Sequence, residues 1–121
     1  MGRIDAAARL AAERPPQVER KDAGTFVEER LETPQPSGVT RVLYHSIVWQ
    51  YLPETTQRSI TAAMEQAGTR ATADKRLAWV QLETNRETFR HELTERYWPG
   101  GEEPVMLAEG HPHGAWVEWI G

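Results

Sequence analysis

Apolar residues recur at helical spacing in three stretches of the chain. In residues 4–11 the apolar positions lie three and four residues apart, which is typical of one face of a helix. A capping-box pattern starts a second stretch at Thr25, and we expect that helix to run to about Leu31. A third stretch begins at Pro53, which suits a first helical turn, and ends at Gly68, which suits a helix stop. The pattern therefore predicts three helices.

Three short apolar stretches alternate with these helices and favour strands. Residues 17–22 are the least apolar of them, whereas 39–44 and 77–82 are rich in β-branched and aromatic side chains, as buried strands are. The apolar run at 39–44 continues towards residue 52. Helices that alternate with strands predict a parallel sheet with crossover helices.

The last third of the chain has a different pattern. Apolar and polar residues alternate along 89–97 with a period of two, which indicates a half-buried strand. A proline- and glycine-rich turn at 99–104 separates it from apolar segments at 105–108 and 115–120. We expect these three strands to form an antiparallel meander that extends the sheet.

Composition limits the class of protein. The 121 residues fit one α/β domain spanning 1–121, and there is no cysteine for a disulfide, a zinc thiolate site or a catalytic thiol. The net charge is −4, and no Lys or Arg follows Tyr97, so we expect no nucleic-acid partner. We also expect a cytoplasmic protein without membrane association, since there is neither a long apolar run nor a hydrophobic signal core.

Tyr44, His45 and Ser46 are the candidates for catalysis or substrate contact. They lie at the predicted carboxyl end of a parallel strand, where open α/β sheets place ligands. His45 and Ser46 are not predicted to form a catalytic pair, because neighbouring strand residues point to opposite faces. The alternative role for His45 is that of a hydrogen-bonded loop or core residue.

His111 and His113 form the only metal-like arrangement in the sequence. Two strand residues that are two positions apart face the same way, so both imidazoles could reach one ion, with Glu109 or Glu118 adding oxygen ligands. The intervening Pro112 favours a turn, whose hydrogen bonds explain the pattern equally well.

The tryptophans also allow two interpretations. Trp79, Trp98, Trp116 and Trp119 could stack on bases or sugars, but stacking surfaces of this kind accompany a positive groove. We expect each of these rings instead to pack in a strand against a helix layer.

Five segments together resemble a bacterial family known as domain of unknown function 2332. The residues that carry the resemblance are Pro15-Pro16 with Asp22-Ala23, the segments 43–52 and 77–83, Trp98-Pro99-Gly100-Gly101-Glu102, and the segment 111–119. The resemblance covers nearly the whole chain. It implies that the chain corresponds to the C-terminal part of longer family proteins.

The resemblance also implies an architecture. The order of elements is similar to the second half of a class I methyltransferase-type Rossmann sheet, in which Asp22 would end the third strand and Tyr44-His45-Ser46 the fourth. Asp22 is then a weak candidate for cofactor binding, although Lys21 stands where a glycine is expected. S-adenosylmethionine is implied only for a longer family protein. We expect no cofactor for this chain alone, because it has no G-x-G-x-x-G turn.

Three functional hypotheses follow. The chain is a structural part of a Rossmann-like domain, or the substrate-side half of an enzyme built on Tyr44, His45 and Ser46, or a small metal- or ligand-binding module using His111 and His113. A half-sheet leaves an unpaired edge and an uncovered apolar face, so we also expect a homodimer or larger homo-oligomer.

Overall fold

A computed structural model describes residues 2–13, 20–110 and 117–119. The three α-helices are α1 (Gly2–Glu13), α2 (Ala23–Glu32) and α3 (Glu54–Thr69). The strands are β1 (Arg41–Ser46), β2 (Leu77–Thr84), β3 (His91–Trp98), β4 (Gly101–Gly110) and β5 (Val117–Trp119), and a short 3₁₀ helix spans Trp49–Tyr51.

The strands form one mixed sheet in the order β1-β2-β3-β4-β5. β1 and β2 are parallel and are joined through α3, as the sequence predicts for a crossover unit. The remaining pairs, β2–β3, β3–β4 and β4–β5, are antiparallel. The predicted meander is thus confirmed, whereas of the three strands predicted to be parallel, only those at 39–44 and 77–82 have counterparts, β1 and β2, in the part of the chain that the structure describes.

The beginning of α2 explains part of this difference. Residues 20–22 are not a strand, and residues 17–19 of the predicted strand lie outside the described residues. Asp22 is the N-cap of α2, and its carboxylate accepts a hydrogen bond from the Thr25 backbone N–H at 3.2 Å. The cap is therefore Asp22 rather than Thr25, because a short carboxylate satisfies the free N–H groups of the first turn.

Two predicted boundaries around β1 also need correction. The apolar run was expected to be a buried strand continuing towards residue 52, but the strand ends at Ser46. Ile47 follows with a φ of 50°, which breaks the extended conformation and starts the turn into the 3₁₀ helix. The burial of β1 alternates because only one face of the sheet is covered, and Val42 and Tyr44 on the other face are exposed.

The hydrophobic core lies on one side of the sheet, which we call the helix-covered face. Its most buried side chains come from α2, α3, β2 and the end of β3: Val27, Ile60, Met64, Leu77, Trp79 and Trp98. Gly68 belongs to this packing and lies inside α3, which ends at Thr69 with Arg70 as its C-cap. The prediction of Gly68 as the helix stop is therefore wrong, since the glycine makes room for the Trp98 indole.

The opposite side of the sheet carries none of these core residues, and we call it the open face. Strand register and alternation place on it an apolar set that crosses all five strands: Val42, Tyr44, Ala78, Val80, Leu82, Leu93, Tyr97, Val105, Ala108 and Trp119. The two alanines in this set are buried. The expected burial of tryptophans holds for Trp79 and Trp98 but is wrong for Trp119, which is 65% exposed, while Trp116 lies outside the described residues.

The described side chains of the first helix contribute little to either face. α1 has the predicted helical conformation, and the described side chains of residues 6–10 are exposed. None of the helices in the described residues is both long and apolar enough to cross a membrane.

Candidate functional site

His45 lies at the carboxyl end of β1 in a network of three side chains. Its Nδ1 is 2.6 Å from Oε2 of Glu83, and its Nε2 accepts a hydrogen bond from the Trp79 indole N–H at 2.9 Å. An indole nitrogen only donates and a carboxylate only accepts. The imidazole proton is therefore on Nδ1, and both ring nitrogens are used within the protein.

Glu83 also holds the turn that follows β1. Its Oε1 accepts from the backbone N–H of Trp49 at 3.2 Å, and its Oε2 lies 3.4 Å from the backbone N of Val48. The turn begins at Ile47, whose φ of 50° is costly for a β-branched side chain. One carboxylate thus fixes the side chain of His45 and the backbone that follows it.

Trp49 completes this cluster from the 3₁₀ helix. Its ring stacks on His45 with centroids 5.2 Å apart and planes 15° apart, and it meets Trp79 edge-on at 5.6 Å. The amide Nε2 of Gln57 donates to the Trp49 carbonyl at 2.7 Å, which ties the 3₁₀ helix to α3. The cluster is therefore held on both sides.

A pocket of about 500 Å³ opens beside this cluster, between α2, α3 and the end of β1; we call it the β1 pocket. Its apolar walls are Ala23, Phe26, Val27, Leu43, Val48, Trp49, Leu52 and Ile60. Lys21, Tyr44 and His45 are the polar residues that line it, and the described lining includes no carboxylate residue. An apolar cleft with a few polar groups at one end is typical of small-molecule sites.

The three predicted residues at the end of β1 do not share one face of the sheet. His45 faces the helix-covered side, whereas Tyr44 and Ser46 occupy alternate positions on the open face. Tyr44 is 59% exposed at the rim of the pocket, and Ser46 is half-buried. The structure thus gives no Ser–His pair here, in agreement with the expectation from the alternation of strand residues.

Asp22 does not lie at a strand end. It is exposed, and its carboxylate caps α2 between the pocket residues Lys21 and Ala23. A structural role therefore accounts for the aspartate that the resemblance suggested for cofactor binding.

The predicted metal residues divide between two parts of the chain. His111 and His113 lie outside the described residues. Glu118 is exposed on β5 opposite Glu109, whose carboxylate is bound by the Arg90 guanidinium at 3.2 Å. Within the described residues, no group of three or more side chains suited to metal ligation is found.

Glu83 and Trp49 are site residues that the sequence analysis did not single out. Glu83 falls within the segment 77–83 and Trp49 within the segment 43–52. A glutamate at a strand end does not by itself indicate a site. Strand pairing is the observation that could have identified Glu83. Because β1 and β2 are parallel neighbours, polar residues at their carboxyl ends meet at one edge of the sheet.

The fold and the pocket define an α/β domain with a mixed sheet and a ligand-sized cleft at the carboxyl end of its parallel pair. A family model matches residues 1–119, and its family is described as an uncharacterized protein conserved in bacteria (DUF2332). The chain belongs to this family. Neither the curated proteins nor the solved structures contain a match to it.

Proposed function

We propose that this protein binds a small, mostly apolar molecule carrying an anionic group, and that it does so in the β1 pocket. The observation that supports this is the lining of the pocket, which combines eight apolar side chains with Lys21. The apolar walls favour an aromatic or aliphatic body. The Lys21 ammonium is paired with the Glu29 carboxylate at 2.5 Å, and because exposed ion pairs of this kind are weak, a carboxylate or phosphate on the ligand can take the place of Glu29.

His45 is a positioning residue in this proposal. A general base needs a ring nitrogen that can accept a proton from substrate, but Nε2 already accepts from Trp79. Glu83 likewise accepts from His45 and from the turn backbone. The network supports binding in a preformed pocket more directly than it supports proton transfer, so we favour a binding role over the enzymatic alternative.

The test is a titration of the full chain with 2-naphthoate, an aromatic carboxylate of the proposed class. Binding is followed by two-dimensional ¹H–¹⁵N NMR. We expect the largest shifts at amides that line the pocket, such as those of Ala23, Leu43 and Val48. Val48→Trp fills the pocket and should weaken binding at least about tenfold, which corresponds to about 1.4 kcal/mol.

Val39→Trp is the matched control. Val39 and Val48 are 46% and 43% exposed, but only Val48 lines the β1 pocket. Equal weakening by both substitutions would contradict the proposal, as would shifts confined to open-face residues such as Val105. The absence of any shift up to millimolar ligand would overturn it.

We propose further that the β1–α3–β2 unit is the part of the chain that carries the methyltransferase-type resemblance. Two parallel strands joined by a helix support this view. The chain lacks the glycine-rich turn that binds a nucleotide cofactor in such sheets, so we expect calorimetric titration with S-adenosylmethionine to give no binding. A dissociation constant in the micromolar range would contradict that expectation.

A further inference from the structure

The open face has the composition of a buried surface. Five of its large side chains, Val42, Tyr44, Tyr97, Val105 and Trp119, are between 42% and 65% exposed. They come from β1, β3, β4 and β5, and the half-buried Val80, Leu82 and Leu93 lie between them. The apolar residues therefore adjoin one another across the sheet, around the polar Glu95 that lies between Val80 and Val105.

The size of this surface fits a partner of similar shape. Aromatic side chains contribute about 150–250 Å² each, so the five exposed residues alone present roughly 500 Å². Two such faces together reach about 1,000 Å², the lower bound for a specific protein interface. A flat apolar sheet face is covered in folded proteins by a helix layer or by another sheet.

Two polar side chains on the open face make it complementary to itself. At paired positions of the described strands, its acid and imidazole side chains are Glu95 and His91, on either side of Leu93 in β3. Suppose that two copies pack open face to open face about a two-fold axis that lies between the two sheets and runs perpendicular to β3 at Leu93. The partner's β3 then lies over β3 and runs in the opposite direction. Each Glu95 then comes near the partner's His91, with the two Leu93 side chains at the centre.

We propose that the open face packs against the open face of a second copy of this chain, forming a sheet-on-sheet dimer with the helices outside. This arrangement buries the exposed aromatic residues of both copies and pairs each Glu95 with an imidazole. It leaves most of the β1 pocket accessible, because Tyr44 at the pocket rim is the open-face residue among its lining and the β-strand residues Leu43 and His45 face the helix-covered side. The proposal does not rest on the proposed ligand.

Sedimentation equilibrium at micromolar concentrations of the full chain tests the proposal. The wild-type protein should have twice the chain mass of 13.8 kDa. Val105→Lys and Trp119→Lys, each on the open face and away from β1, should weaken the dimer at least about a hundredfold, since each buries a charge at an apolar contact. Tyr51→Lys is the control, because Tyr51 is 75% exposed but lies in the 3₁₀ helix.

Circular dichroism shows whether each variant remains folded, and two independent open-face variants guard against a single misfolded one. A wild-type monomer at tens of micromolar would overturn the proposal. Dimers that persist in both folded lysine variants would also overturn it. Edge-to-edge pairing would be indicated if those dimers were instead lost in Val42→Pro, which removes an outward N–H of the edge strand β1.

Discussion

Gly68 of α3 lies directly against the indole of Trp98: a Cβ on Gly68 would come within 2.5 Å of Cδ1 of that ring. Trp98 is 4% exposed and is enclosed by the core, so its ring has no room to move away. Gly68→Ala should therefore destabilise the protein by about 1–3 kcal/mol, because overpacking outweighs the gain in helix propensity. Urea denaturation measures the change.

Gln66→Ala is the control for this substitution, since Gln66 is exposed in the same helix and its replacement should change stability by less than about 0.5 kcal/mol. Equal stability of Gly68→Ala and the wild-type protein would show that the helix can shift away from β3.

Glu83 should be important for the stability of the turn after β1. Glu83→Ala removes the acceptor for His45 and for the Trp49 backbone N–H, so we expect a loss of about 2–3 kcal/mol. Glu83→Gln retains one oxygen acceptor and should cost about 1 kcal/mol. Thermal denaturation of both variants shows which of them loses more stability. A smaller loss of stability in Glu83→Ala than in Glu83→Gln would contradict this account.

The tautomer of His45 can be observed directly. Two-bond ¹H–¹⁵N correlation spectra of the wild-type protein should show the proton on Nδ1 and none on Nε2, because Trp79 donates to Nε2. Trp79→Phe removes that donor but leaves the Glu83 carboxylate on Nδ1, so we expect the Nδ1-protonated form to remain dominant in this variant. Protonation of Nε2 in the wild-type protein would show that the Trp79 hydrogen bond is absent in solution.

Phe89 should be replaceable with a gain in stability. It was expected in a strand, but the structure places it in the β2–β3 turn with a φ of 59°, where it is 77% exposed. The left-handed conformation costs about 1–2 kcal/mol for most residues and less for asparagine, so Phe89→Asn should raise the free energy of unfolding by about 1 kcal/mol. Urea denaturation would show the gain.

Tyr51→Asn serves as the comparison, since Tyr51 is equally exposed and has no positive φ. If both asparagine variants changed stability alike, the gain at Phe89 would not come from its backbone conformation.

The strength of each local signal explains which elements were predictable. Residues 77–82 form an apolar run typical of a buried strand, and residues 54–67 have regular helical periodicity. β2 and α3 lie where these patterns predict them. Residues 17–22 have no comparable pattern, and over residues 20–22 the capping preference of Asp22 prevails. Gly68 has the sequence appearance of a helix stop, but only its distance from Trp98 in the fold explains why a glycine is there.

The candidate site shows the same division. The sequence pointed to His45 through its place at a strand end, and that residue does line a pocket. Its partners Glu83 and Trp79 are 38 and 34 residues away along the chain, so no local pattern links them to it. Tyr44 and Ser46 were candidates for the same reason, yet strand alternation turns them to the opposite face.

The sequence by itself determined the helices, the parallel crossover and the antiparallel end of the sheet, because periodicity and turn residues act over a few positions. It also determined the family to which the chain belongs. Only the tertiary structure decided that both core helices pack on one face, that His45 is held between Glu83 and Trp79, and that the other face is open. Those features depend on contacts between distant residues, which are fixed by strand register and not by local preference.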